Sequence, residues 1–231
     1  MSISVCMAVH NGAAFIAEQL NSILPQLSDA DELIVSDDAS TDSTLTIIRS
    51  YADLRIRILQ AQNFGTPSKN FEYALRHCQY ETIFLADQDD IWHAHKIKKM
   101  TDALATCDLV VCDCRLVNGD HNVVTSSFFE KNKTRHGLLK NLFKNSFVGC
   151  CMAFNQKVLI KALPFPTGVL AHDQWIGLIA QRDFTVKFMP EILVDHRRHS
   201  HNYSTTGGIS KNSFGEKVIS RVLLAKMLLQ H

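Results

Sequence analysis

Residues 83–96, IFLADQDDIWHAHK, place three carboxylates, Asp87, Asp89 and Asp90, within four positions directly after an apolar run. Like charges this close repel one another. A helix N-terminus can absorb one or two of them through capping and the helix dipole, but that reading leaves the third without a reason. The other reading is a hard divalent cation, Mg²⁺ or Mn²⁺, held by one or two carboxylates while a substrate diphosphate supplies further oxygens.

Three more groups could do chemistry. Asp37 and Asp38 in DDAST either cap a turn or accept hydrogen bonds from a nucleoside, as the acidic residue after a second parallel strand does from ribose. Asp173 in AHDQWIGLIA sits at an expected helix start, beside His172 and Trp175. It either caps the helix or acts as a general base toward an alcohol. Trp175 either stacks on a sugar ring or packs in the core. The tail DHRRHSHNYS groups Arg197, Arg198, His199 and His201. It reads as a solvated basic tail or as a clamp on a diphosphate leaving group.

These groups need elements to position them. ISVCMAV, DELIVSD, RIRILQ and ETIFLAD are short buried strands, and AAFIAEQLNSILPQ, STDSTLTIIRSYA and SKNFEYALRHC between them carry helical spacing and caps. Such alternation predicts a mostly parallel sheet flanked by helices, the doubly wound class. Ligands in that class bind beyond the carboxyl ends of the strands. Those ends are His10-Asn11-Gly12, Ser36-Asp37-Asp38, Asn63-Phe64-Gly65 and Asp87-Gln88-Asp89-Asp90, all polar and two of them acidic. DLVVCDC reads as the next strand. The second half is less regular, with a strand expected over Gly149–Phe154, a helix from about His172, a strand in TVKFMPEILVD and an amphipathic final helix. The chain divides by role into residues 1–115, 116–205 and 206–231 of one continuous domain.

Composition excludes several classes. A net charge of +1 over 231 residues speaks against nucleic acid as a partner. The odd count of seven cysteines, several inside apolar runs, suggests reduced thiols and a cytosolic setting. Cys112 and Cys114 lack a second pair at zinc spacing. MSISVCMAVHNG has no basic leader, and no apolar run reaches 18 residues, so neither a signal peptide nor a membrane span is expected. There is no G-x-G-x-x-G after the first strand and no P-loop.

SVCMAVHNGAAFIAEQLNSIL, ELIVSDDASTDST, NFGTPSKNFEYAL, FLADQDDIW, NSFVGCCMAFN, HDQWIGLIA and RRHSHN occur here in order and cover nearly the whole chain. Together they resemble the family 2 glycosyltransferases, and within them the bacterial rhamnosyltransferase-like enzymes of surface polysaccharide assembly. The resemblance implies a GT-A fold, with a Rossmann-like sheet and an acceptor side in the second half. It implies an inverting, metal-dependent transfer from a nucleotide-diphosphate sugar, dTDP-rhamnose or a UDP-hexose, to a saccharide or lipid-linked saccharide. Residue by residue, it implies that Val9, His10, Asn11, Asp37, Asp38, Lys69, Asp87 and Gln88 bind the nucleotide; His10 departs from the usual Tyr. Asp87 and Asp89, with His199, would hold Mn²⁺ or Mg²⁺, and Arg198 and His199 would meet the diphosphate. Asp173 would be the catalytic base, and Trp175, His172 and Asp90 would face the acceptor.

Two rivals stand beside it. An aspartyl-phosphate-type phosphatase also ends a strand in D-x-D, but carries Thr or Val where Ile91 stands. A sugar-nucleotide-binding subunit could keep the fold without catalysis. The final helix could lie on a membrane face, join two copies, or pack through Val218, Leu223, Leu224 and Leu228. Its pattern is unfinished at His231, as in a shortened protein.

Overall fold

The computed structural model describes residues 2–60, 62–199 and 214–231, the last stretch by backbone alone up to 218. Its elements run β1 (Ile3–Val9), α1 (Ile16–Ile23), β2 (Glu32–Asp37), α2 (Thr44–Ser50), β3 (Ile56–Ile58), α3 (Pro67–Leu75), β4 (Thr82–Asp87), β5 (Ile91–Trp92), α4 (Lys96–Leu104), β6 (Leu109–Val117) and β7 (Val123–Thr125). There follow α5 (Phe128–Asn132), α6 (Leu138–Phe143), β8 (Met152–Asn155), α7 (Gln156–Ala162), α8 (His172–Asp183), β9 (Val186–Arg197) and α9 (Phe214–Gln230). One sheet runs β3-β2-β1-β4-β8-β6-β9-β5, with β7 on the edge of β6.

The first four strands are parallel, as the alternation predicts. β1, β2 and β4 are sealed on both faces, which is why they read as unbroken apolar runs rather than alternating ones. Beyond β4 the sheet is mixed: β8 is antiparallel to both β4 and β6, while β9 is parallel to β6. The strand expected over Gly149–Phe154 begins only at Met152, because Gly149–Cys151 makes a 3-10 turn. β9 carries Pro190 inside it. Its register against β6 slips where Cys112 faces Met189 and Asp113 faces Ile192, a bulge that accommodates a residue without an N–H.

α9 packs one edge on the domain. Leu228 is buried, Leu224 is partly buried and Leu223 is exposed. His231 Nε2 donates to the Lys161 carbonyl at 2.7 Å. The Val218 side chain, His201 and the boundary at 205/206 lie outside what the structure describes.

Candidate active site

Two loops form the floor. Asn11 N donates to Ser40 Oγ, Gly12 N to Thr44 Oγ1 and Ala13 N to Asp42 Oδ2, at 2.8–3.0 Å. The turn after β1 is thus zipped to the turn after β2. His10 Nδ1 donates to the Asp38 carbonyl at 2.6 Å, which fixes its tautomer. The Asp38 carboxylate is already engaged, accepting from Phe64 N at 2.5 Å and Gly65 N at 3.3 Å, so it organises the third loop. Asp37 keeps one carboxylate oxygen buried and without a partner. A buried acceptor in that state costs about 1–3 kcal/mol until a donor arrives.

Sequence reasoning did not find the residue that ties these strand ends together. Asn70, buried in α3, donates to the carbonyls of Val9 at 3.2 Å and Ser36 at 3.1 Å, and accepts from Ser36 Oγ. Its neighbour Lys69 is exposed. Gln88 also serves the frame: its Oε1 accepts from His10 N and its Nε2 donates to His10 O, both at 2.9 Å. The loop after β4 is therefore latched to the loop after β1.

On this floor stands the acidic cluster. Burial first, then the charges of Asp90 and Asp89, raise the pKa of Asp87 well above the usual carboxylate range. Asp89 is raised by burial and then by Asp90. Asp90 goes the other way. Burial pushes it up, but the His196 charge and the hydrogen bonds from His196, Cys150 and the Arg197 amide outweigh that and hold it low. Asp90 is fully buried, with His196 Nδ1 at 2.8 Å and Arg197 N at 3.0 Å from the same oxygen. It therefore anchors the end of β9 and does not reach an acceptor, contrary to expectation.

Above the cluster, His199 Nε2 lies 2.9 Å from Asp89 Oδ2. Phe15 stacks on His199 at 4.4 Å between centroids, and the Arg197 guanidinium lies 5.1 Å from the centroid of the Phe15 ring. Arg197 also pairs with Glu18. Arg198 N donates to the Val117 carbonyl at 2.7 Å, continuing the path of β9. The first turns of α1 thus hold the basic tail over the carboxylates. No local signal marks Phe15, Glu18, Cys150 or His196, because each acts on residues far away in sequence.

Asp173 begins α8, half-buried, with Gln174 N donating to it at 2.7 Å and the Gly149 amide also donating. Burial outweighs these bonds and raises its pKa to about 6. It is near enough to Asp87 for each to feel the other's charge. His172 stacks on Phe71 at 3.9 Å between centroids, and burial lowers its pKa to about 3, so it is a neutral packing group rather than an acceptor contact. Trp175 is fully buried, and its Nε1 donates to the Ala162 carbonyl at 2.9 Å. It has no open face for a sugar, and the core reading replaces the stacking one.

The donor set suits a hard cation. Asp87 and Asp89 are carboxylates raised in pKa first by burial and then by the charge of Asp90, and a divalent charge would offset both. Among the described residues, the trio whose possible ligand atoms all lie within 4.8 Å of one another is Asp90, Cys150 and His196, all buried; Asp89 Oδ2 and His199 Nε2 are 2.9 Å apart, and Asp87 would have to join that pair to hold a cation.

The glycosyl transferase family 2 model matches residues 4–163. The chain belongs to that family. Among relatives of this family 2 chain, the dTDP-rhamnosyl transferase RfbG of Shigella flexneri is 42% identical over 106 residues, covering 42% of this chain and 36% of its own. An uncharacterised glycosyltransferase of Nostoc is 24% identical over 174 residues, 54% of its length. The UDP-Glc:alpha-D-GlcNAc-diphosphoundecaprenol beta-1,3-glucosyltransferase WfgD of Escherichia coli is 25% identical over 183 residues, covering 78% of this chain and 70% of its own. The chain thus spans about a third to a half of the first two relatives. Among solved structures, residues 1–349 of S. aureus TarS in complex with UDP-GlcNAc match with a TM-score of 0.73 at 20% identity, covering 97% of this chain and 66% of that one. The mannosyltransferase PcManGT of Pyrobaculum calidifontis, in complex with GDP-Man and Mn²⁺, matches with a TM-score of 0.67 at 23% identity, covering 87% of this chain and 58% of that one. The GT-A fold expected for the family 2 chain is the one observed.

Proposed function

We propose that this family 2 chain is an inverting, metal-dependent glycosyltransferase that moves a sugar from a nucleotide-diphosphate donor to a saccharide hydroxyl in bacterial surface polysaccharide assembly. The observation that carries the reading is Asp173. It is a carboxylate raised to about 6 at the start of α8, set beside an Asp87–Asp89–His199 cluster at the carboxyl ends of parallel strands. A base poised near neutral pH suits removal of a proton from an alcohol.

Asp37, with its unpartnered oxygen, takes donors from the nucleoside, and the His10–Asn11 turn lines the base. Asp87, Asp89 and His199 would hold Mn²⁺ or Mg²⁺. When bound, that ion supplies positive charge to the diphosphate leaving group. Arg198 adds charge from the tail, and His199 would turn its second ring nitrogen toward the diphosphate. Asp173 accepts the acceptor proton as the hydroxyl attacks the anomeric carbon from the face opposite the diphosphate, which inverts that carbon. The names of the relatives favour a dTDP-rhamnose or UDP-hexose donor and a diphospholipid-linked saccharide acceptor. The enzyme would work on the cytoplasmic face of the membrane. No described helix is long and apolar enough to cross a membrane.

The test is thermal stability with UDP-, dTDP- and GDP-sugars, with and without Mn²⁺, for wild type and Asp89→Ala. A ligand at a hundredfold excess over its dissociation constant adds about 2.7 kcal/mol of apparent stability. A Mn²⁺-dependent shift with one nucleotide class, lost in Asp89→Ala, is the expected result. A folded protein that shifts with none of them overturns the transferase reading.

A further inference from the structure

The acceptor side carries a second, basic site. No Asp or Glu occurs between Lys131 and His172, a stretch that holds seven Lys and Arg in a chain whose net charge is only +1. Four of these cations, Lys133, Arg135, Lys140 and Lys144, line one cavity of about 370 Å³ together with Phe143 and Ser146. Among the described residues, none of the four pairs with a carboxylate. Four uncompensated cations around one cavity repel one another, and a polyanion would relieve them.

The cavity is wired to the candidate base. Ser146 N donates to Asn141 Oδ1 at 2.9 Å, and the Asn141 carbonyl accepts from Gln174 Nε2 at 3.1 Å. Gln174 is the residue next to Asp173, and Gly149, three positions beyond Ser146, donates its amide to Asp173. Hydrogen bonds thus link the cavity lining to the residue that follows the candidate base.

Its rim is apolar. Leu139 and Phe143 on α6 are 70% and 64% exposed, and Ile219 and Val222 on α9 are each 62% exposed. Arg221 of α9 donates to the Phe143 carbonyl at 3.0 Å and 2.9 Å, which sets the two apolar rows side by side. Cations in a cavity beside exposed apolar side chains match an amphiphile with a phosphate head.

We propose that this cavity holds the diphosphate of a lipid-linked acceptor, with the lipid along the Leu139–Phe143 and α9 ridge. The proposal rests on the transferase reading for its biological sense, but not for its test. Farnesyl diphosphate serves as the probe, with Mn²⁺ and the best-stabilising nucleotide present to fill the donor site. Binding is followed by calorimetry for wild type, for Lys140→Glu/Lys144→Glu, and for the milder Arg135→Gln/Lys140→Gln.

We expect wild type to bind farnesyl diphosphate at least about tenfold more tightly than farnesol or inorganic diphosphate. We expect the glutamate pair to lose that binding and the glutamine pair to weaken it, while both keep the stabilisation by nucleotide. Equal binding by wild type and both variants overturns the proposal. Equal binding of inorganic diphosphate overturns the lipid assignment. Equal capture by phosphatidylglycerol vesicles with and without farnesyl diphosphate makes the face a general membrane contact and also overturns it. Failure of every nucleotide to stabilise the protein defeats the donor reading instead, and the probe's response to the variants still decides this one.

Discussion

Asp173 is asked to be a weak acid buried just enough to stay basic at neutral pH. Asp173→Asn keeps the acceptor oxygen for the Gln174 and Gly149 amides and removes the base. Transfer should fall by about 10²–10⁴ with donor affinity unchanged, as read from kcat and from nucleotide titration. In wild type, kcat/KM should rise with pH and level off above about 6, since only the ionised carboxylate accepts a proton; a flat profile from pH 5 to 8 contradicts the assignment. The stability effect has the opposite sign. The folded pKa of about 6 exceeds the ordinary aspartate value of 3.8, so between them the folded state binds more protons and wild type loses stability as pH rises. Asp173→Asn should therefore melt above wild type at pH 8, with the gap closing by pH 4. At this scale the sequence pointed correctly to which carboxylates converge. It misjudged Asp90, Trp175 and His172, because a residue type gives no information on how deeply the fold buries it. Asp90 takes the His196 ring and the Arg197 amide on one oxygen while the other lies buried, and the Trp175 indole donates to Ala162.

Between elements, α1 supports the tail. Phe15→Ala removes the ring under His199 and beside Arg197. An aromatic contact of this kind contributes about 0.5–1.5 kcal/mol, so donor KM should rise about two- to tenfold while kcat stays within about twofold. A KM unchanged from wild type would show that the tail holds itself. Asn70→Leu removes the acceptor of the Ser36 hydroxyl and one donor from each of the Val9 and Ser36 carbonyls, the Val9 carbonyl keeping the Asp38 amide. At about 1–3 kcal/mol for a stranded buried group, urea denaturation should show a loss of at least about 1 kcal/mol. The parallel half of the sheet was legible because buried parallel strands announce themselves as apolar runs between helices. In the second half β8, α8, β9 and α9 lie where the patterning placed them, but their pairing was not legible: β5 has two residues, β8 has four, and the Pro190 bulge interrupts β9, so nothing in the sequence marked the antiparallel insertion of β8 or the pairing of β5 with β9.

For the molecule as a whole, α9 closes the far side. Leu228 is its buried contact, and the Leu228 carbonyl accepts from Arg182 of α8. Leu228→Ala should cost about 2 kcal/mol, measured by thermal unfolding; a neutral result would mean that α9 is held from elsewhere. An amphipathic pattern alone left packing, pairing and membrane contact open. The packing is now visible for Leu228, while Ile219 and Val222 stay exposed.

The Gln88 amide bears on how such a protein could be re-engineered. It spends both ends on the His10 backbone, and a Cβ at Gly12 would stand 2.3 Å from its oxygen. The segment proposed to read the base and the segment proposed to hold the cation are therefore one mechanical part. A graft intended to change nucleotide preference would have to transplant both segments as a matched cassette. Exchanging the first alone would tilt the second and cost turnover before any new preference could be seen.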